Sequence, residues 1–188
     1  MVIGGIVKRF LLTLVLFGVL QALSAQSNTP PENTSAMSQH FGHGTPALSP
    51  LVDMEHRPFQ ISPLNGHWNL IYFWADWCEP CVAKGIPELI VFTKTHEAEK
   101  NRFRIIAVRF GSTHENFEWK DFHSRTLRLE QTVWRQVLPF PVVDDDSSRF
   151  STDWGIHALP TSALIDPKGN LVPNGNLSTL ETKLAVRR

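Results

Sequence analysis

The chain has 188 residues, the size of one domain with additional segments, because single domains usually contain about 100 to 200 residues. Its 18 lysine and arginine residues balance 18 aspartate and glutamate residues, so the net charge gives no indication of binding to nucleic acid or to an anionic membrane surface. Hydrophobic residues make up 42% of the chain, which is enough for a normal core. This composition excludes both a disordered chain and a small disulfide-stabilised protein.

Residues 1–25 have the pattern of an export signal. Lys8 and Arg9 form a charged flank, residues 10–23 are almost wholly apolar, and the two residues that follow are small. The apolar stretch is shorter than the ~20 residues that usually span a bilayer, which favours a signal peptide over an N-terminal membrane anchor. Both interpretations place the rest of the chain outside the cytoplasm, in the periplasm or attached to the inner membrane.

Residues 26–46 predict a flexible linker, because they are rich in Ser, Thr, Asn, Pro, Gly and Gln and contain hardly any aliphatic residue. Met37, His40 and His43 lie in this segment, but a closed metal site needs about four ligands, so the linker interpretation is preferred. The globular domain is therefore predicted to span residues 47–188.

Both cysteines of the chain, Cys78 and Cys81, lie three residues apart in a Cys-Glu-Pro-Cys sequence. Residues 69–74 before them are aromatic and branched, as in a buried strand, and the residues after them follow a helical pattern. Cys78 is therefore predicted at a strand-to-helix junction, where unpaired amide groups and the helix dipole favour the thiolate that attacks disulfides. Pro80 fits the first helical turn, and Cys81 is close enough to Cys78 to form a disulfide.

Two segments resemble the thioredoxin-like oxidoreductases. Residues 73–81, with the pattern Trp-Cys-x-Pro-Cys, resemble the active site of that family, and residues 154–169 resemble its cis-proline loop and final hairpin. The spacing after the cysteines, through residues 85–89, is most similar to the extracytoplasmic TlpA/ResA branch. The resemblance covers residues 45–185 and implies an α/β, three-layer thioredoxin-like fold: a central mixed β-sheet flanked by helices, with an N-terminal β-hairpin extension.

The predicted elements follow this layout in chain order. They are a hairpin over residues 51–61, a strand over 68–74, a helix over 79–94 that Pro87 interrupts, a strand over 103–108, one or two amphipathic helices between 114 and 137, a short helix ending at Trp154, a hairpin over 161–172 and a final helix over 178–186.

An acidic cluster at residues 144–146 precedes the short helix. It is interpreted as a solvated loop, because its spacing is not that of a calcium loop. Its last member, Asp146, is predicted to cap the short helix together with Ser147.

The resemblance implies that Cys78 is the exposed nucleophile and that Cys81 resolves the mixed disulfide formed with a partner protein. A purely structural disulfide is disfavoured, because a closed loop of four residues restrains little of the unfolded chain. In an alternative from another class of protein, the two thiolates would hold copper(I), an ion that thiolates select.

The substrate loop is also assigned by resemblance. The peptide bond between Leu159 and Pro160 is predicted to be cis, and the backbone of Leu159 is expected to pair with an extended segment of the substrate. Of the two tryptophans before Cys78, Trp74 and Trp77, one is expected in the core and the other shielding the site.

Two charged residues are expected to tune the redox poise. Glu79 places a negative charge beside Cys78, which opposes the thiolate and makes the site more reducing. The TlpA/ResA branch commonly carries a glutamate six residues after the first cysteine, and thioredoxins carry an acid six residues before it. These positions hold Lys84 and Tyr72 here. Lys84 is predicted either to stabilise a thiolate by its charge or to extend into solvent.

Together these features predict an extracytoplasmic thiol–disulfide oxidoreductase that acts as a reductant, with cytochrome c maturation as the role that the resemblance suggests most often. Its expected partners are extracytoplasmic proteins with disulfides or dithiols, and nucleic acid is not expected. No cofactor is predicted, because nicotinamide and flavin fingerprints are absent, so a thiol donor in the membrane would supply the electrons. A disulfide oxidant or isomerase, a copper(I)-binding module and a redox-inactive interaction domain are the alternatives.

Overall fold

The computed structural model describes residues 51–61, 66–111 and 119–186. The predicted export signal or anchor, residues 1–25, and the predicted linker, residues 26–46, lie outside these ranges. Within the described ranges, none of the helices has the length and apolar character needed to cross a membrane.

The described residues form seven strands in one mixed sheet. The strands are β1 (Leu51–Asp53), β2 (Pro58–Phe59), β3 (Trp68–Trp74), β4 (Phe103–Phe110), β5 (Val142–Asp145), β6 (Thr161–Ile165) and β7 (Leu171–Val172). Their order in the sheet is β2-β1-β5-β4-β3-β6-β7, with β3, β4 and β5 parallel and the other neighbours antiparallel. The predicted mixed sheet and the N-terminal hairpin, formed by β1 and β2, are therefore confirmed.

Helices connect the strands. The α-helices of the described residues are α1 (Ile86–Thr95), α2 (Trp119–Leu129), α3 (Arg149–Asp153) and α4 (Leu177–Ala185). A π-helical turn, Cys81–Gly85, leads into α1, and a second, Glu130–Trp134, follows α2. The interruption predicted at Pro87 appears as the change from π-helix to α-helix just before it, since proline cannot donate to the carbonyl one turn back.

The core lies on both faces of the sheet, because successive side chains of β3 point to opposite sides. Tyr72 and Trp74 join the apolar cluster that contains residues of α1 and α4. Phe73 joins the opposite cluster, where its ring centroid lies 6.0 Å from that of Phe150, which in turn stacks on Trp154 at 5.3 Å. With both faces covered, β3 holds its carboxyl end, and the cysteines that follow, in a defined place.

The interpretation of the acidic cluster as a solvated loop is wrong for two of its three residues. Asp144 and Asp145 are buried in β5, whereas Asp146 is exposed. Asp145, rather than Asp146, caps α3: its carboxylate accepts hydrogen bonds from the backbone N–H groups of Phe150 (3.1 Å) and Ser151 (2.7 Å). Pairing with β4 draws this run into the sheet, where backbone and side-chain donors compensate the buried carboxylates.

Candidate functional site

The two cysteines form a disulfide where β3 gives way to helix, with their Cα atoms 5.2 Å apart. Cys78 ends a tight turn, in which its N–H donates to the carbonyl of Ala75 (3.1 Å). Cys81 is fully buried, whereas Cys78 keeps 5% of its surface exposed. Cys78 is therefore the more accessible of the two, but it is largely buried in this disulfide form and not exposed as the resemblance implied.

The helical chain begins directly after Cys78. The Cys78 carbonyl accepts a hydrogen bond from the N–H of Val82 (3.0 Å), and Pro80 has helical backbone angles, φ −61° and ψ −30°. This confirms that Pro80 fits the first turn. Because first-turn N–H groups lack acceptors within the helix, they favour negative charge on a sulfur placed there.

Tyr72, at the position where thioredoxins carry an acid, is buried beneath the start of this helix. Its hydroxyl has no hydrogen-bond partner among the described residues. The hydroxyl fills the space that a side chain at Gly85 would need, since an added Cβ would lie 1.7 Å from it. Burial, and to a lesser extent the charge of Glu88, raises the pKa of Tyr72, so the hydroxyl stays protonated and cannot accept a proton.

The other residues predicted for the site lie at different depths. Trp77 is 63% exposed and Trp74 is fully buried, which confirms that the two tryptophans divide between surface and core. The peptide bond between Leu159 and Pro160 is cis, as predicted. Leu159 packs against the cluster that contains both cysteines, and Pro160 is exposed.

The two predicted tuning residues face solvent. Glu79 is exposed between the cysteines. The side chain of Lys84 is 77% exposed, and its Nζ lies 4.0 Å from Oε1 of Glu88, one helical turn further on. This geometry favours the interpretation of Lys84 as a solvated helix residue.

A group of four charged side chains that was not predicted from the sequence adjoins the turn before Cys78. This arginine–aspartate cluster consists of Asp76, Arg109, Arg125 and Asp144. Arg109 donates through Nε to Asp76 Oδ1 (3.3 Å) and through Nη1 to Asp144 Oδ1 (3.0 Å). Arg125 donates through Nη1 to Asp76 Oδ2 (2.9 Å). Arg109 is only 2% exposed, whereas the Arg125 side chain is 49% exposed.

Strand register brings this cluster together. Trp74, Arg109 and Asp144 are direct neighbours across β3, β4 and β5, and Asp76 follows Trp74 by two residues. The guanidinium of Arg109 also lies 5.7 Å from the centroid of the Phe122 ring, within the range of a cation–π interaction. Burial raises the pKa of Asp144, and the nearby Arg109 only partly offsets this.

One signal in the sequence could have indicated this cluster: Arg109 lies near the end of the apolar run Phe103–Phe110, and an acidic run lies at the end of the following strand. Among the described residues, no group of three or more His, Cys, Asp or Glu side chains is arranged to hold a metal ion.

The chain is similar to known proteins over most of the described residues. A family model described as thioredoxin-like matches residues 66–171. The thiol:disulfide interchange protein DsbE of Xylella fastidiosa is 30% identical over 139 residues, which cover 73% of this chain and 62% of the relative. The sporulation thiol-disulfide oxidoreductase A of Bacillus subtilis is 23% identical over 137 residues, which cover 73% of this chain and 75% of that relative. The chain spans roughly three fifths of the length of several curated relatives that it matches.

Solved structures share the fold. StoA from Bacillus subtilis superimposes with a TM-score of 0.51 at 23% identity, covering 68% of this chain and 86% of StoA. A thiol-disulfide oxidoreductase from Bacteroides fragilis superimposes with a TM-score of 0.56 at 18% identity, covering 75% of this chain and 97% of that protein. The predicted thioredoxin-like fold is thereby confirmed.

Proposed function

Because the chain belongs to the thioredoxin-like family, we propose that it is a thiol–disulfide oxidoreductase that acts on partner proteins through Cys78 and Cys81. The observation that carries this proposal is the disulfide between these cysteines at the beginning of a helix. Cys78, the more accessible of the two residues, lies where the helix end favours a thiolate, and the fully buried Cys81 lies beside it as the resolving residue.

The exchange proceeds in two balanced steps. In the reduced protein, the Cys78 thiolate attacks one sulfur of the partner disulfide, forms a mixed disulfide and releases the other partner sulfur as a thiolate. Cys81, as its thiolate, then attacks the Cys78 sulfur and expels the second partner thiolate. The partner gains two electrons and, after protonation, two thiols, while this chain returns to the Cys78–Cys81 disulfide.

In this proposal the protein is a reductant. Glu79 is exposed between the cysteines, where its charge opposes the thiolate and so favours the disulfide form of this chain. Lys84 is directed to Glu88 and solvent, and we expect its charge to compensate little of this effect.

The partner would bind next to the disulfide. Trp77 offers an exposed apolar surface, and the backbone of Leu159, before Pro160, would pair with an extended segment of the partner. Such pairing requires no particular partner side chain, so disulfides in several proteins would be acceptable substrates.

The cellular setting belongs to the same proposal. The export pattern of residues 1–25 supports an extracytoplasmic domain over residues 47–188, tethered or released, that meets exported proteins with disulfides. A membrane thiol donor would reduce Cys78–Cys81 again, and cytochrome c maturation is a process that needs such a reductant.

The test is the reduction potential of the full chain, measured by equilibration with glutathione and with dithiothreitol. A potential near or below about −270 mV supports a reductant, and one of about −120 to −180 mV indicates an oxidant or isomerase. Insulin reduction should disappear in Cys78→Ser, and Cys81→Ser should accumulate the mixed disulfide. Undiminished exchange in Cys78→Ser would refute the proposal, and stoichiometric copper(I) retention without exchange would favour the copper alternative.

A further inference from the structure

We propose that Asp76 and Arg125 tune the reactivity of Cys78 in opposite directions, with the buried Arg109 as the residue that positions Asp76. This inference rests on the proposed thiol–disulfide exchange at Cys78. It assigns a role to charges that lie outside the Cys-Glu-Pro-Cys sequence.

Asp76 lies next to the cysteines along the chain. It precedes Cys78 by two residues, so their Cα atoms are at most about 7 Å apart. The hydrogen bond from Cys78 N–H to the Ala75 carbonyl closes the turn that contains Asp76. Its carboxylate is held from both sides, by Arg109 at Oδ1 and by Arg125 at Oδ2. The negative charge of Asp76 is therefore fixed in the turn that ends at Cys78.

Several contacts hold Arg109, the residue that positions Asp76. Arg109 is buried, and it bonds to Asp144 of the adjacent strand while its guanidinium lies over the Phe122 ring. The register of β4 and β5 thus sets the position of Arg109, and through it the position of Asp76. Arg125, on α2, is half exposed and can be replaced without emptying the core.

Neutralising either Asp76 or Arg125 changes the charge around the turn that ends at Cys78 by one unit. Because Asp76 is largely buried, its field at the sulfur is less screened than that of a surface charge. Asp76 opposes the thiolate, and Arg125 offsets this effect.

Other charged groups lie on the helix side of the cysteines. Glu79, Lys84 and Glu88 are exposed, so water and salt reduce their effects on the thiolate relative to those of a buried charge at the same distance. Tyr72, buried beneath the helix, stays neutral. Asp76 and Arg109 are largely buried, so we expect their charges to affect the Cys78 thiolate more than these surface charges do.

The test uses the full chain with Asp76→Asn, Arg125→Gln and the double variant. Lys84→Gln is the matched control, since it also removes one exposed positive charge near the cysteines. Two quantities are measured: the equilibrium constant with glutathione, and the pH profile of Cys78 alkylation by iodoacetamide in the reduced protein. Both report on the thiolate, which loss of stability alone would not shift in a defined direction.

Asp76→Asn should stabilise the thiolate, move the alkylation profile to lower pH and shift the glutathione equilibrium at least about threefold toward the reduced protein. Arg125→Gln should do the reverse by a similar factor. About threefold corresponds to about 14 mV, because tenfold is 29.6 mV for two electrons. The double variant should return to within about twofold of wild type, and Lys84→Gln should stay within the same limit.

A structural role alone gives a different result. Asp76→Asn and Arg125→Gln break the same ion pair, so mere loosening of the turn would shift both variants in the same direction. Two results would overturn the inference and leave the proposed function intact. In the first, Asp76→Asn and Arg125→Gln shift the glutathione equilibrium in the same direction. In the second, both variants stay within about twofold of a wild type that exchanges normally. A wild-type disulfide that does not equilibrate with glutathione would overturn both.

Discussion

Gly85→Ala is expected to destabilise the protein, although alanine is the better helix former. At an unobstructed helical position this substitution stabilises by about 1 kcal/mol. Here the added Cβ would lie 1.7 Å from the Tyr72 hydroxyl oxygen and 2.6 Å from Cζ, and the ring is enclosed by the core. Overpacking costs about 1 to 3 kcal/mol, and so severe an overlap belongs at the upper end. After subtraction of the helix preference, we expect a net loss of about 2 kcal/mol.

The assay is equilibrium urea unfolding of the oxidised protein. Ala83→Gly is the matched control, since Ala83 is exposed in the same π-helical turn, and it should lose about 1 kcal/mol. Alanine is thus preferred at position 83 and glycine at position 85. Tyr72→Val removes the obstructing ring, and in that background Gly85→Ala should be neutral or stabilising, which gives a coupling energy of about 2 to 3 kcal/mol.

Two results would refute this reasoning. The first is a Gly85→Ala variant at least as stable as wild type while Tyr72 is present. The second is an equal loss from Gly85→Ala in the wild-type and Tyr72→Val backgrounds, since the cost would then not arise from the contact with Tyr72.

Two further substitutions test the buried carboxylate and a helix cap. Burial raises the pKa of Asp144 in the folded protein above the value of about 3.9 that it has in the unfolded chain. Protonation of Asp144 therefore stabilises the folded protein. This stabilisation is complete below the unfolded pKa and is lost as the pH rises through the folded pKa. In urea unfolding between about pH 7 and about pH 4, wild type should therefore gain stability relative to Asp144→Asn as the pH falls, and a constant difference would contradict this. Asn176→Ala should lose about 1 kcal/mol, because the Asn176 side chain accepts a hydrogen bond from Thr179 N–H (2.9 Å) and caps α4. Asn176→Asp, which retains the acceptor, is the control, and equal stability of all three proteins in the same assay would show that the cap contributes nothing.

The sequence by itself determined the elements on either side of the cysteines. The apolar run at residues 68–74, the proline in the first helical turn and the turn residues at 166–169 are signals that act over a few residues. The strand, helix and hairpin predicted from them are present. The spacing of Cys78 and Cys81 was sufficient to predict their disulfide, because three residues in a helical turn bring the two sulfurs together.

Only the tertiary structure decided what surrounds Cys78. Asp76 and Arg109 are 33 residues apart, and Arg109 and Asp144 are 35 apart. Their contacts depend on the register of three parallel strands, which no local pattern specifies. From the sequence, Asp144 was therefore interpreted as a loop residue. In the structure it lies in a buried strand, where Arg109 of the neighbouring strand is its cationic partner. The sulfur chemistry follows from local spacing, whereas the charges beside the sulfur depend on long-range pairing of the strands.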